Sequence, residues 1–288
     1  MEYLIHLAIL FSIYVPLAVS LNLVVGYTGL LSLTHAAFYG IGAYVTTLLM
    51  INLGFGFFPA LIIGMILAGV LAFLFGLVLS RFRDDYYALV SFGFNIIVYS
   101  ILLNWIKLTN GALGISGIPR PQIFGFVFNS NFSFLLLSLA FALIVYLVSS
   151  YIAHSSFGRL LKGIREDEKV LAVFGYNTTL FKLTIFSLTA TMAGLAGGLF
   201  ATYIAFIDPS SFSLNESIFI LVIIILGGMA NLRGSIAGAL FLILLPEILR
   251  LVGFPVDIAA QMRQVIYGVI LVALMLYRPV GLMGEYKL

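Results

Sequence analysis

From Tyr3 to Ser80 the chain contains no Asp, Glu, Lys or Arg. A water-exposed surface cannot be built from such a stretch, because exposed positions are where charged side chains collect. Short Gly, Pro and polar breaks divide it into runs close to the roughly 20 residues that cross a hydrocarbon core about 30 Å thick. The runs are continuous and do not alternate with period two, so they read as helices and not as strands of a lipid-facing barrel. The whole chain follows suit: its 288 residues are 62% hydrophobic and 9% charged, with a mean hydropathy of +1.18. This excludes a water-soluble domain. The expected fold is all-α, a polytopic integral membrane bundle of about eight to ten transmembrane helices with broken or re-entrant segments, forming one transmembrane domain over residues 1–288. The first run starts at Leu4 without a basic segment or a small-residue cleavage motif, and reads as a retained helix. No cysteine is present, which excludes disulfides and thiol chemistry. A net charge of +3 is too small and too scattered to recruit nucleic acid.

The spans are expected near 4–25, 33–51, 57–80, 86–106, 132–152, 183–204, 215–231, 235–251 and 264–277. If they alternate, Arg81, Arg83, the cations from Arg159 to Lys182, Arg233, Arg278 and Lys287 share one side, and Lys107, Arg120, Arg250 and Arg263 the other. Ten basic residues against four assigns the first side to the cytoplasm. The C-terminus is then cytoplasmic and the N-terminus external, unless a broken or re-entrant helix around Gly26, Gly29, Gly40 and Gly42 reverses the parity.

Against this background GIREDEKVLAVFG, Gly163 to Gly175, stands out, since seven of the eleven residues from Arg159 to Lys169 are ionised. Topology needs only cations in a cytoplasmic loop, yet Glu166, Asp167 and Glu168 sit among them. Val170, Leu171, Val173 and Phe174 follow at helical spacing, and Gly175 occupies the position of a left-handed cap. A solvated charge run is the plain alternative. The mixed-sign pattern describes a small amphipathic helix, within a loop at about 153–182, that docks in a groove of a soluble cytoplasmic partner. A helix lying in lipid headgroups would favour a cationic polar face.

The segment SSFGRLLKGIREDEKVLAVFGYNTTLFKL resembles the coupling region of the branched-chain amino acid permeases of ATP-binding cassette (ABC) importers, the LivM/LivH type. The likeness covers nearly the whole chain, through LNLVVGYTGLLSLTHAAFYGIGAY, NGALGISGIPRP, LGGMANLRGSIAGA and YRPVGLMG. IREDE and GISGIPRP favour the LivM-like subunit over its LivH-like partner. The chain departs from the family pattern at Thr34 and Ala230, where glycine is usual, and at Lys169 and Val170, which replace two alanines. The resemblance implies a non-enzymatic permease subunit that moves branched-chain or other hydrophobic amino acids by alternating access. Its implied partners are a second, LivH-like permease, two cytoplasmic ABC ATPases holding ATP and Mg, and an extracytoplasmic substrate-binding protein. Arg159, Arg165, Glu166, Asp167, Glu168, Phe174 and Gly175 would form the ATPase-coupling element. Independently, the Gly-rich run from Gly227 to Gly234 lacks the lysine of a phosphate-binding loop, so ATP is expected to be hydrolysed elsewhere, with no cofactor in this chain.

Small residues recur every four positions at Gly64, Ala68, Ala72 and Gly76, and at Ala190, Gly194, Gly198 and Thr202, as closely approaching membrane helices require. Asn22, Thr28, Ser32, Thr34, His35 and Tyr39 are candidates for a substrate path. Broken helices offer N–H groups to a carboxylate and carbonyls to an ammonium, although plain helix packing accounts for such residues as well. His6, His35 and His154 lack metal-ligand spacing. Asn110 to Pro121, with Asp208, Pro209, Ser210 and Ser211, could receive the binding protein, or simply stiffen a loop. Arg81, Arg83, Asp84 and Asp85 read as a helix-end anchor, and Glu247 with Arg250 as a helix-end ion pair. Within the superfamily, urea or simple sugars are alternative substrates. An ion-coupled carrier is a further alternative, but it would want ionisable residues inside the membrane, and the candidates fall near the ends of the expected spans.

Overall fold

A computed structural model describes residues 2–82, 84–123, 126–251, 265, 268–269, 272 and 280–284. Ten helices run through the described residues: α1 (Glu2–Thr28), α2 (His35–Asn52), α3 (Phe57–Leu79), α4 (Asp84–Asn104), the single turn α5 (Ile106–Thr109), α6 (Asn131–His154), α7 (Ser156–Val173), α8 (Thr178–Ile204), α9 (Leu214–Gly227) and α10 (Leu232–Leu251). Two short antiparallel pairs join β1 (Ile115–Ser116) to β4 (Phe206–Ile207), and β2 (Gln122–Ile123) to β3 (Phe126–Val127). Each span expected before residue 251 corresponds to a helix. The expected 264–277 span lies outside the described residues apart from four isolated positions, and Arg83, Arg263, Arg278, Lys287 and the Arg250 side chain lie outside them too.

Among the described residues α1, α3, α4, α6 and α8 are each long and apolar enough to cross a membrane. The chain is therefore a multi-pass membrane protein. α9 and α10 make a sixth crossing only as a pair, bent by 118° at their junction. This corrects the two separate spans expected there, since the 14 residues of α9 reach only about 21 Å.

α2 is the innermost helix, with His35, Thr46 and Thr47 all buried. Its contact with α8 is backbone to backbone. A Cβ added to Gly42 would lie 2.2 Å from the Gly194 carbonyl oxygen, and one on Gly197 would lie 2.0 Å from that of Tyr39. The same point of α8 also receives α3, since a Cβ on Gly194 would meet that of Ala68 at 3.0 Å. Gly40 and Gly42 therefore sit inside a continuous helix and serve packing, while the break falls at 29–34, where Gly29 turns the chain at φ +74.

That break lies inside the bundle. His35 Nε2 is 2.8 Å from Ser20 Oγ, so α2 begins about 12 Å short of the end of α1. Irregular backbone at membrane depth must be satisfied by protein, and α4 does so: Leu33 N–H donates to Ser91 Oγ at 3.0 Å and Asn95 Nδ2 donates to the Leu33 carbonyl at 3.0 Å. Ser217 of α9 accepts from Ala36 N–H at the first turn of α2, and again from Asn95.

The α9–α10 junction is held by Asn22. Its Nδ2 donates to Gly228 O, Asn231 O and Ser235 Oγ at 3.3, 3.0 and 2.6 Å, and its Oδ1 accepts from Ala230 N–H at 2.9 Å. Val280 to Gly284 return to the same place, with Leu282 and Met283 N–H donating to the carbonyls of Leu226 and Gly227. Three motifs distant in sequence thus share one knot. Within it Ala230 adopts φ +59, a left-handed conformation that costs an L-residue with a Cβ about 1–2 kcal/mol. Ala230→Gly is expected to raise the unfolding midpoint in detergent by a few degrees, about 1 kcal/mol, measured by thermal melting. Gly197→Val should instead abolish folded protein, read as loss of the monodisperse peak in size-exclusion chromatography.

Candidate coupling site and polar interior

α7 is an elbow. Ser155 caps its first arm, accepting from Gly158 N–H at 3.3 Å, and helical geometry fails at Asp167 (φ −158, ψ 100). Asp167 Oδ1 then accepts from Lys169 N–H at 2.9 Å and Val170 N–H at 3.1 Å, so this acid is the N-cap of a second arm. The arm ends in paired bonds from Tyr176 N–H to Leu171 O and from Gly175 N–H to Ala172 O, with Gly175 at φ +87. This is the Schellman closure that favours glycine.

The single amphipathic helix expected here is therefore two arms, and its apolar residues divide. Leu171 turns back onto the first arm, where a Cβ on Gly163 would approach its Cδ1 to 3.0 Å. Val170 is exposed, and Val173 and Phe174 are 87% and 74% exposed, forming an apolar tip.

The charges divide too. Glu168 Oε1 pairs with Lys182 Nζ at 2.7 Å and accepts from Thr178 Oγ1 at 2.8 Å. Lys182 is only 8% exposed, so this pair fastens the second arm to the first turns of α8. Arg165 donates to the Gly26 carbonyl and Lys162 lies 5.3 Å over the Tyr27 ring, fastening the first arm to the end of α1. Glu166 and Asp167 are exposed, and Arg159, also exposed, donates to Ser156 Oγ at 2.8 Å. Between elbow and bundle lies a cleft of about 380 Å³, walled by Thr28, Gly29, Phe82, Arg165, Glu168 and Lys182.

The residues read as a substrate path are all buried. Asn22 ties the α9–α10 knot, Thr28 Oγ1 donates to Val24 O at 2.5 Å, and Ser32 and Thr34 pair at 2.9 Å. His35 bonds Ser20, and the Tyr39 ring packs edge-on against Phe212 at 5.0 Å. Of the set, Thr28 reaches the cleft beside α7.

At the other end of the bundle from α7, Asn110 takes φ +62, its Nδ2 donates to Gly114 O at 2.9 Å, and the β1–β4 pair links this loop to the end of α8. Burial raises the Asp208 pKa, but hydrogen bonds from Ser210 and Ser211 prevail and hold it below the usual carboxylate range.

One acid escaped the sequence reading. Glu216, in the first turn of α9, accepts from Tyr14 Oη at 2.6 Å. Its spacing, Ser-x-x-Glu before an apolar run, reads as a helix start. The depth of that start depends on where the chain re-enters the bundle, which spacing does not encode.

The model of the family described as "Branched-chain amino acid transport system / permease component" matches residues 3–275. The high-affinity branched-chain amino acid transport system permease protein LivM of Escherichia coli K12 is 35% identical, over 97% of this chain and 69% of its own. A probable LivM of Methanocaldococcus jannaschii is 24% identical over 96% of this chain and 91% of its own. LivH of Escherichia coli K12 is 24% identical over 95% and 92%. No solved structure matches the chain.

If the Glu168–Lys182 pair holds α7 to α8, Glu168→Gln and Lys182→Met should each lower stability. Their double-mutant cycle in thermal or denaturant unfolding should return a coupling of about 1–3 kcal/mol, whereas an idle pair would return none.

Proposed function

The chain belongs to the branched-chain amino acid transport system permease family, and from that premise we propose how it works. It is a permease subunit of an ABC importer, and the elbow of α7 is the part that feels the ATPase. The observation that carries this reading is the tip of Val173 and Phe174, exposed at the end of an elbow whose two arms are each fastened to the bundle. An apolar knob costs free energy in water unless a groove covers it. The α7 end faces the cytoplasm, in agreement with the excess of basic residues counted on that side, and the return of Val280 to Gly284 to the knot favours a cytoplasmic C-terminus.

ATP and Mg are held by two partner ATPases. When these close, the elbow is pushed, and two fixed joints receive the push. Glu168–Lys182 passes it to α8, whose glycine face carries α2 and α3 as one body. Arg165 passes it to the end of α1, whose Asn22 holds the α9–α10 knot. Rigid bodies joined at such points exchange inward-open and outward-open packings without repacking their interiors. A LivH-like chain is the second permease. At the opposite end, the hairpin loop around Asn110 to Pro121 and the Asp208 turn offer a stiff landing surface for an extracytoplasmic binding protein. The relatives reported above are named for branched-chain amino acid transport, which favours that substrate class over urea or sugars.

Val173→Asp with Phe174→Asp should leave the chain inserted and folded, because neither side chain is buried. ATP-driven leucine uptake by the reconstituted complex should fall at least about tenfold, the scale of one lost apolar anchor, and ATPase recovery on affinity purification should fall with it. Unchanged uptake and recovery would remove α7 from the coupling role.

A further inference from the structure

Glu216 lies level with the middle of α1, a helix long and apolar enough to cross a membrane. Tyr14, which donates to it, stands 12 residues from the start of α1 and 14 from its end, about 18 and 21 Å along the helix. The Tyr14 ring is itself held edge-on to Phe219 at 5.5 Å. A carboxylate at this depth is costly unless it meets a cation, a hydrogen-bond donor or water. Among the described residues no Lys, Arg or His pairs with Glu216, and Tyr14 donates to only one of its two oxygens.

Nor is Glu216 occupied in capping α9. Ser213 stands at the N-cap without a side-chain cap hydrogen bond, and the reciprocal Ser–Glu box suggested by the spacing does not form. The carboxylate instead borders a cleft of about 530 Å³, whose lining includes the polar Ser213 and Asn215 and the apolar Ile218, Phe219 and Val222. All of these come from one short stretch of chain, so the cleft opens sideways from the bundle. Lipid is a poor neighbour for an acid, whereas a second permease facing it across an aqueous passage is a good one. The lining therefore offers a carboxylate to a cation and, within two helical turns of it, apolar side chains to a branched aliphatic group.

We propose that Glu216, positioned by Tyr14, receives the α-ammonium group of the amino acid in passage, while Ile218, Phe219 and Val222 bear on its aliphatic side chain. This rests on the importer reading above and assigns the contact made inside the membrane, after the binding protein has released its cargo. A neutral amide at position 216 still accepts from Tyr14 but loses the charge. A shortened acid keeps the charge.

The test is ATP-driven uptake of radiolabelled leucine by the complete complex in proteoliposomes, comparing wild type, E216Q and E216D, with assembly checked by co-purification. E216Q is expected to assemble and to lose about tenfold or more of uptake, the scale of a lost charge-assisted contact, while E216D keeps at least about a third. Uptake by E216Q within about twofold of wild type would overturn the proposal. So would equal losses in E216Q and E216D, which would make shape the requirement, or failure of E216Q to assemble, which would make the residue a packing element. A wild-type complex that fails to import leucine would overturn the importer reading and this inference together, whereas normal wild-type import with an unimpaired E216Q would overturn this inference alone.

Discussion

Inside a bilayer every backbone N–H and C=O must find its partner within the protein. Helices meet this demand by themselves, and among the described residues the backbone leaves helix inside the bundle at 29–34 and at the α9–α10 junction. Both departures depend on side chains reaching across from other helices: Ser91 and Asn95 for the first, Asn22 for the second. Asn22 alone engages four groups of the junction. A polar residue in an apolar helix is easily taken for a ligand contact, but here its amide substitutes for the missing turn of another helix. The same logic binds the elements together, since Ser217 joins α9 to the start of α2 and to α4 through one hydroxyl.

The joints at α7 follow a related economy. An elbow made only of exposed charge would rotate freely and transmit little. Here each arm carries one polar root into the bundle, at Gly26 and at Lys182, and the second arm ends in an exposed apolar tip. The α8 end of this linkage belongs to the helix whose Gly194 and Gly197 meet α2 backbone to backbone. The α1 end meets the knot that also holds the returning segment Val280 to Gly284.

Hydropathy is summed residue by residue along the chain, and it located the helices before residue 251 to within a few positions. It also exposed the charged loop, because seven ionised residues in an apolar sequence need no spatial information to be noticed. What escaped were features that depend on neighbours. Gly40 and Gly42 suggested a broken helix, but both lie inside a continuous α2, with Phe212 packed on Gly40 and Gly194 of α8 packed on Gly42. Val170 to Phe174 suggested one apolar face, but Asp167 bends the chain and Leu171 turns inward on Gly163. Asn22 and His35 were legible as polar residues in an apolar run, though their partners lie on other segments. Glu216 was legible as a helix start, and its depth follows only from its contact with Tyr14 near the middle of α1.

The shortness of α9 and the polarity of α2 bear on how the chain enters the membrane during synthesis. α9 spans about 21 Å, and α2 carries His35, Thr46 and Thr47 into the bundle interior, so neither is a strong candidate to partition into lipid alone. α1 and α3 bracket α2 and can carry it in as a hairpin. α9 emerges after α1 is in place and finds Tyr14 and Asn22 already displayed along one helix. α1 is thus the template on which the last described helices are seated, and an error in it would first become visible far along the chain, at α9 and α10.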